Sequence, residues 1–258
     1  MPSNQIKPIR KIDIFKVFLR SFFLQAVWNY KSLISVGFEI CLLPIVKRLY
    51  PDAQQSNEFL LRHLKFFNAH PYLASYALGV SIRVEEGIAT GSTQEGNKLD
   101  RVKELLVTTL GAKGDQLFWL TIRPFSLIMG VLGLLIFQSI FLKTCVLILV
   151  FVIYNIPHLY IRYIGLVEGY KFGLDVYKCL SNDRFKTLEK IYFYVGFTAF
   201  VTFISLIIWQ FSNDDPFTIL FFIGAIFYSW ILYKINRNFY YTILFTVIFF
   251  LIFSFLFL

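Results

Sequence analysis

Five stretches of this chain contain no Asp, Glu, Lys or Arg: Pro124–Leu142, Thr144–Ile161, Ile191–Asn213, Pro216–Tyr233 and Asn238–Leu258. Each is close to the roughly 20 residues that a helix needs to cross a bilayer. A run of this length has few options, because lipid offers no partner for backbone N–H and C=O groups. The composition agrees. The chain is 57% hydrophobic and 16% charged, whereas soluble domains carry about 25% charged residues. Its 31 Phe and 15 Tyr suit lipid-facing or helix-packing surfaces. A soluble globular domain is excluded, and five membrane-spanning helices are expected, the first beginning at Leu117 or Phe118.

The net charge of +9 is unevenly placed. Lys7, Arg10, Lys11, Lys16 and Arg20 crowd the start, and Arg162, Lys171, Lys178, Arg184, Lys186 and Lys190 crowd one later connection. With the N-terminus inside, the connection at Lys143 lies outside, 162–190 inside, Asp214-Asp215 outside, and Lys234 with Arg237 inside. Nearly all Lys and Arg then fall on the inner side, as the positive-inside rule requires. No basic stripe with stacking aromatics persists outside the apolar spans, so nucleic acid is not an expected partner. Cys41, Cys145 and Cys179 lack metal-site spacing and read as reduced thiols; neither a metal nor a cofactor is expected. The first twenty residues have no uninterrupted apolar core followed by a small-residue cleavage site, so no signal peptide is expected there.

The N-terminal half reads differently. Residues 1–20 form a basic cytoplasmic arm entering an amphipathic helix, with Lys16 and Arg20 among Phe15, Val17, Phe18, Phe22 and Phe23. Such a helix lies on a lipid surface or packs on its own protein. Leu33–Val46 is apolar but short, interrupted by Glu39 and stopped near Pro44; it suits a buried core helix or a re-entrant segment. Glu58–Phe67 has helical spacing, broken by Pro71. Tyr72–Val84 is a second short apolar stretch, closed by Glu85-Glu86-Gly87, which reads as a solvated helix end. A polar loop covers 90–100, and Leu99–Leu110 resumes as a helix. The expected fold is an all-α membrane protein: amphipathic N-terminal helices and short apolar hairpins, either re-entrant or buried in the protein, then about five transmembrane helices. It divides into the arm at 1–20, a region of short broken helices at 21–116, and a transmembrane region at 117–258.

Two polar, proline-bearing motifs stand at the boundary between these regions. Asn68-Ala69-His70-Pro71-Tyr72 is the first; Gly114-Asp115-Gln116-Leu117-Phe118-Trp119, followed by Arg123-Pro124, is the second. Polar residues at a membrane edge are costly and are usually kept for use, which favours a transport-type protein over a plain anchor. Asp115 and Arg123 are eight residues apart, about two turns of an α-helix. With Trp119 stacking on a pyranose face they could bind sugar hydroxyls or a partner subunit. The alternative is that Asp115 caps a helix N-terminus and Trp119 sits in an interfacial aromatic belt. Gln25, Trp28 and Asn29 place amides beside an indole, a set that matches vicinal hydroxyls and a sugar ring face, or else ordinary helix packing. His63, Asn68 and His70 do not make a catalytic or metal site: a third ligand is lacking, with Glu85 or Glu86 only distant. No nucleophile–base pair accompanies them.

Taken in order, several runs resemble the IID component of the mannose/fructose/sorbose class of bacterial phosphotransferase systems. They are Arg20–Tyr30, Gly37-Phe38, Leu43-Pro44, Lys47–Pro51, Arg62-His63, Phe66–Ser75, Glu85-Glu86, Gly114-Asp115, Leu117–Trp119, Arg123-Pro124, and Asn155 through Arg162-Tyr163 to Gly165 and Gly169-Tyr170. The resemblance covers roughly residues 15–175. It implies a multi-pass subunit of the bacterial cytoplasmic membrane, N-terminus cytoplasmic, that pairs with a IIC subunit to form a sugar channel. IIAB proteins would carry the phosphoryl group on histidines and hand it to a hexose or amino sugar. The IID chain would be neither phosphorylated nor catalytic itself, and IIC–IID units would assemble into higher-order oligomers. Gln25, Trp28, Asn29, Asn68, His70, Asp115, Trp119 and Arg123 would then line the substrate path or the IIC interface. The sequence departs from the family where a Met-Gly-Pro-Leu-Ala-Gly-Ile-like run is usual: it has Val107-Thr-Thr-Leu-Gly-Ala-Lys113, and Leu120 follows Trp119. A IID-like protein with a regulatory or scaffold role and no transport is the second reading that this departure raises.

Overall fold

The computed structural model describes residues 7–92, 96–180, 183–214, 223–224, 226–232, 234 and 244–249. The chain is all α-helical: among the described residues the only strand-like pairings are isolated bridges of Leu33 to Asn29 and to Phe67. Helix α1 spans Lys11–Arg20 and ends in a 3₁₀ turn, Ser21–Phe23; α2 spans Ser35–Leu49, α3 Ala53–His63 and α4 Ala74–Ala89. Helix α5 (Gly96–Gly114) runs through a π-helical segment (Asp115–Ile122) into α6 (Arg123–Ile136). Helix α7 covers Ile140–Phe172, the short α8 Tyr177–Leu180, and α9 Arg184–Asp214. The chain divides into two compact units, residues 1–197 and 198–258. In the second, Ser229 and Thr246 share a hydroxyl hydrogen bond of 3.1 Å and Tyr228 stacks on Phe249.

Among the described residues, three helical stretches are long and apolar enough to cross a membrane: Lys98–Ile136, Ile140–Asp175 and Tyr177–Gln210. The expected spans at 216–233 and 238–258 fall largely outside the described residues. The first two expected spans have shifted bounds. The break comes at Phe137, where the backbone is extended, so Lys143 lies in the first turn of α7 and not in a connection. Helix α7 runs on past Ile161, which puts Arg162 inside a helix rather than in a loop. Likewise Leu117 does not begin a helix; it continues one that starts at Gly96, and the polar loop expected over 90–100 is correspondingly shorter.

The apolar segments at 33–46 and 72–84 are not hairpins. Each lies within a single helix, α2 or α4. Helix α2 does not stop at Pro44, because a donor replaces the missing proline N–H. The carbonyl four residues earlier, Ile40, is freed by the proline, and the Arg20 guanidinium donates to it at 3.1 Å. The same device recurs in α7. Pro157 frees the Ile153 carbonyl, and the Tyr192 hydroxyl of α9 donates to it at 3.0 Å. Helix α3 starts at an N-cap: the Asp52 carboxylate accepts from the Gln55 N–H at 3.1 Å. It ends at His63, well before Pro71.

Helix α4 is the centre of the first unit, with all residues from Ala74 to Ile82 buried. Its main neighbour is the second half of α7, where Pro157, His158, Ile161, Arg162, Gly165, Leu166 and Gly169 are buried. The two backbones touch through small residues. A Cβ on Gly79 would stand 2.3 Å from the Leu166 carbonyl oxygen, and one on Gly169 would stand 2.3 Å from that of Tyr76. Gly165 and Gly169, four apart on α7, are small enough to permit this approach of the two backbones.

At the far end of α4, Glu85 is fully buried; it is not the solvated helix end expected from its acidic neighbour. Its carboxylate accepts from Arg62 at 2.9 Å, from His63 Nε2 at 3.0 Å and from the Tyr50 hydroxyl at 2.7 Å. Burial pushes this carboxyl up, but the hydrogen bonds from His63, Arg62 and Tyr50 outweigh it and hold the group at about 2. Burial also keeps His63 below its ordinary value, so it donates as a neutral ring. One carboxylate thus ties α2 and α3 to α4. Glu86, on another side of the helix, accepts from Tyr170 of α7 at 2.8 Å.

Two outcomes test this packing. Gly79→Ala and Gly169→Ala are each expected to lower stability by about 1–3 kcal/mol, whereas Gly111→Ala, with open space at its Cβ, should be neutral or mildly stabilising; thermal unfolding in detergent measures all three. Glu85→Ala should cost about 3–5 kcal/mol, as when a buried pair loses one partner. Because the Glu85 value is depressed, its stabilisation is complete above the ordinary carboxylate range, at 4.5, and is lost as pH falls toward about 2. Denaturant titrations across that window should show the slope in the parent chain and lose it in Glu85→Gln.

Candidate functional site

The two polar motifs meet. His70 carries the start of α4, its carbonyl accepting from the N–H groups of Leu73 and Ala74 at 3.0 and 2.9 Å. Its ring lies on Gly114, where a Cβ would approach the His70 Cβ to 2.2 Å. It stacks on Phe118 (centroids 5.2 Å apart, planes 15° apart) and takes Trp119 edge-on at 6.0 Å. His70 Nδ1 accepts from the Tyr72 N–H at 3.3 Å. That assigns the ring proton to Nε2, and this buried atom has no hydrogen-bond partner among the described residues. Burial, then the positive charge of Arg162 and the nearby His158, lowers His70 to about 4. The ring is therefore neutral near pH 7, with a donor held ready.

The π-helical segment orients the second motif. The Arg123 N–H bonds to the Phe118 carbonyl five residues back, and the Thr121 hydroxyl donates to the Gln116 carbonyl at 2.9 Å, also five back. Such segments recur at functional sites. They also replace the α-helical spacing assumed between Asp115 and Arg123. The pairing that forms is Arg123 over the Trp119 ring, 4.7 Å from its centre. Asp115 is exposed and lies inside a continuous helix, so it is not an N-cap.

A second layer lies behind His70. The Tyr72 and Tyr154 hydroxyls are 3.1 Å apart, and the Tyr72 ring lies 3.9 Å from that of His158. Arg162 donates from Nε to His158 Nε2 at 3.2 Å, and from Nη1 to both the backbone carbonyl and the hydroxyl of Ser21. Its guanidinium also covers the rings of Phe22 and Tyr72. Tyr72 is raised to about 12 by burial, then by its bond to Tyr154, so it stays a phenol.

The structure thus brings His70, Trp119 and Arg123 together, with Phe118, Tyr72, Tyr154, His158 and Arg162, which the sequence reading did not place in a site. A signal for the last two existed: an i, i+4 His–Arg pair in an apolar helix is itself a mark of use. Gln25, Trp28 and Asn29 stand on a neighbouring loop. The Asn29 amide is spent on that loop, its oxygen accepting from the N–H groups of Lys31 and Ser32 at 3.0 and 2.9 Å. Trp28 is 45% exposed and packs edge-on against Tyr30; Gln25 is exposed. Asn68 is exposed beside this loop, since Phe67 bridges to Leu33.

These features define an all-helical membrane protein whose spans carry a buried, polar and aromatic site next to a compact N-terminal bundle. Residues 8–211 match the family model described as the PTS system mannose/fructose/sorbose family IID component. The chain belongs to that family. It is 34% identical over 185 residues to the mannose-specific EIID component of Escherichia coli K12, covering 71% of this chain and 64% of that protein. It is 32% identical over 186 residues to the fructose permease IID component of Bacillus subtilis 168, covering 71% and 65%. The corresponding match to a sorbose-specific EIID component of Lacticaseibacillus casei is 33% over 189 residues, 73% and 64%. The aligned region thus spans just under two thirds of these relatives. Among solved structures, a complex of the mannose transporter ManYZ with microcin E492 matches with a TM-score of 0.60 at 30% identity, over 76% of this chain and 70% of the other. A second structure, described as a membrane protein, matches with a TM-score of 0.67 at 29% identity over the same shares.

His70 should make the bundle acid-sensitive. Its depressed value means that stability is complete above the ordinary histidine range, at 6.5, and falls as pH drops toward about 4. Replacing it by Gln should lessen the pH dependence of unfolding across that window, buried His63 keeping its own share. Arg162→Ala should cost about 1–3 kcal/mol for each buried partner left unpaired, and Arg162→Lys should recover only part, since one ammonium cannot reproduce the fork; thermal unfolding in detergent measures both.

Proposed function

We propose that this chain is the membrane IID subunit of a mannose-class, phosphoenolpyruvate-dependent sugar phosphotransferase permease, completing a sugar translocation path with a IIC subunit. The observation that carries this is the junction of the two motifs at His70. A neutral ring packed on Gly114 and Phe118 presents an unpaired Nε2 donor beside the half-exposed Trp119 and its Arg123 partner. Donors beside an indole face match a sugar, whose hydroxyls need hydrogen bonds and whose ring face needs an aromatic plane. Hexoses or amino sugars are the substrate class; the relatives are named for mannose, fructose and sorbose. A IIC partner is supported by the likeness to the ManYZ transporter.

In this reading IIAB proteins supply the phosphoryl group and this chain transfers none. His63, His70 and His158 are all buried, which suits structural and binding roles. The chain sits in the bacterial cytoplasmic membrane with its basic N-terminus inside, and IIC–IID units assemble further. Residues 1–20 serve as the arm, 21–116 as the motif-bearing bundle and 117–258 as the membrane region. Gln25, Trp28, Asn29, Asn68 and Asp115 border the path or the IIC interface alongside His70, Trp119 and Arg123.

The test is phosphoenolpyruvate-dependent phosphorylation of mannose, fructose and glucosamine in vesicles holding this chain, its IIC partner and the soluble phosphotransfer proteins. Activity should vanish when this chain is omitted. His70→Ala and Trp119→Ala should each lower sugar phosphorylation roughly tenfold, the loss of one contact, at unchanged membrane levels. Unchanged rates in both would remove this junction from the path. A stable complex with IIC that is inactive toward every sugar would overturn the transport assignment.

A further inference from the structure

Helix α1 has two faces. One turns inward: Asp13 and Val17 are buried, and the Asp13 carboxylate forms an ion pair with Arg48 of α2, N to O 2.9 Å. The other bears Ile12, Phe15 and Leu19, which are 46–48% exposed. Phe22 and Phe23 extend this stripe through the 3₁₀ turn at 43% and 62% exposure. Positions 12, 15 and 19 follow the i, i+3, i+7 spacing of one helix face. Two exposed lysines border it. At about 100° per residue, Lys11 stands roughly 40° to one side of Phe15 and Lys16 roughly 100° to the other. An apolar stripe between two flexible cations is the pattern of a helix lying in a bilayer interface, with its ammonium groups reaching up to the headgroups.

The packing of α1 places it at the right height. Exposed apolar side chains run along α7 from Ile140 to Tyr163, and below them the helix is buried in the bundle. A span that enters the hydrocarbon at Ile140 leaves it roughly 20 residues later, near Tyr160. Helix α1 and its turn meet α7 at that level. Phe18 packs edge-on against Tyr163 with centroids 5.6 Å apart, Phe22 against His158 at 5.9 Å, and Ser21 receives the Arg162 guanidinium.

We propose that α1 is an interfacial helix that binds an anionic lipid surface, with Ile12, Phe15 and Leu19 seated at the acyl–headgroup boundary and Lys11 and Lys16 on phosphate-bearing headgroups. The seat does not depend on sugar transport. It does bear on the site, because the residue that follows α1 is the one Arg162 holds.

The experiment uses the full chain with Cys145→Ser, carrying a nitroxide label at Phe15→Cys or at Lys16→Cys, in vesicles of phosphatidylcholine with or without phosphatidylglycerol. Collisions with oxygen and with a water-soluble nickel chelate report depth. The Phe15 label should favour oxygen, at roughly 5–10 Å below the headgroups, and should sit deeper when phosphatidylglycerol is present. The Lys16 label should favour the chelate. Adding Lys11→Gln and Lys16→Gln to the Phe15 label should lower roughly thirtyfold the ratio of seated to unseated label at a fixed phosphatidylglycerol fraction, about fivefold per lysine. A Phe15 label open to the chelate, or shielded from both reagents as under a protein partner, overturns the lipid seat. A depth indifferent to phosphatidylglycerol overturns the headgroup assignment.

Discussion

The close approach of α4 and α7 is the contact on which the first unit depends. Helix α4 is buried along most of its length and has no polar face to give to solvent. It can be enclosed only if a neighbour comes near enough to leave no gap, and Gly79, Gly165 and Gly169 let α7 do so. The same contact fixes where the membrane part meets the bundle, since α7 has no buried residue before Pro157 and one buried face from there on. Tyr72 at the head of α4 is thereby set against Tyr154 and His158, and the site inherits its geometry from a glycine seam.

Around that seam, several polar groups removed from water receive partners from distant parts of the chain. Carbonyls freed by Pro44 and Pro157 receive Arg20 and Tyr192. Glu85 has three donors, and Glu168 accepts from Arg184 and Tyr76. Not every buried group is so supplied: His63 Nδ1, His70 Nε2, His158 Nδ1 and the Lys103 ammonium have no hydrogen-bond partner among the described residues. Of these, His70 is the one at the junction of the two motifs.

Much of this was legible in the sequence. Charge-free runs announced membrane helices because backbone in lipid has so few options, and the two proline-bearing motifs were recognisable as costly residues at a boundary. What was not legible arises from contacts distant in the chain. Pro44 reads as a helix stop unless Arg20 is known to face Ile40. Glu85 reads as solvated beside Glu86 and a polar loop, because nothing local shows that Arg62, His63 and Tyr50 converge on it. Arg162 reads as the start of a basic loop, since its burial depends on Ser21 and Tyr72. That His70 rests on Gly114 is likewise a property of the fold and not of either motif.

The π-helical turn between Asp115 and Ile122 has a consequence for how this region can tolerate change. Its hydrogen bonds skip one residue more than those of an α-helix, so the segment behaves as stored sequence length. Removing a single residue there would let the helix rewind to ordinary α geometry while the helices on either side keep their facing. The five-back bonds to the Phe118 and Gln116 carbonyls would be lost, yet Trp119 and Arg123, three or four residues apart, would still share a side. In a lineage of such proteins, a one-residue change of length in these eight residues is therefore absorbed locally, where the same change in α4 or α7 would re-aim a buried face.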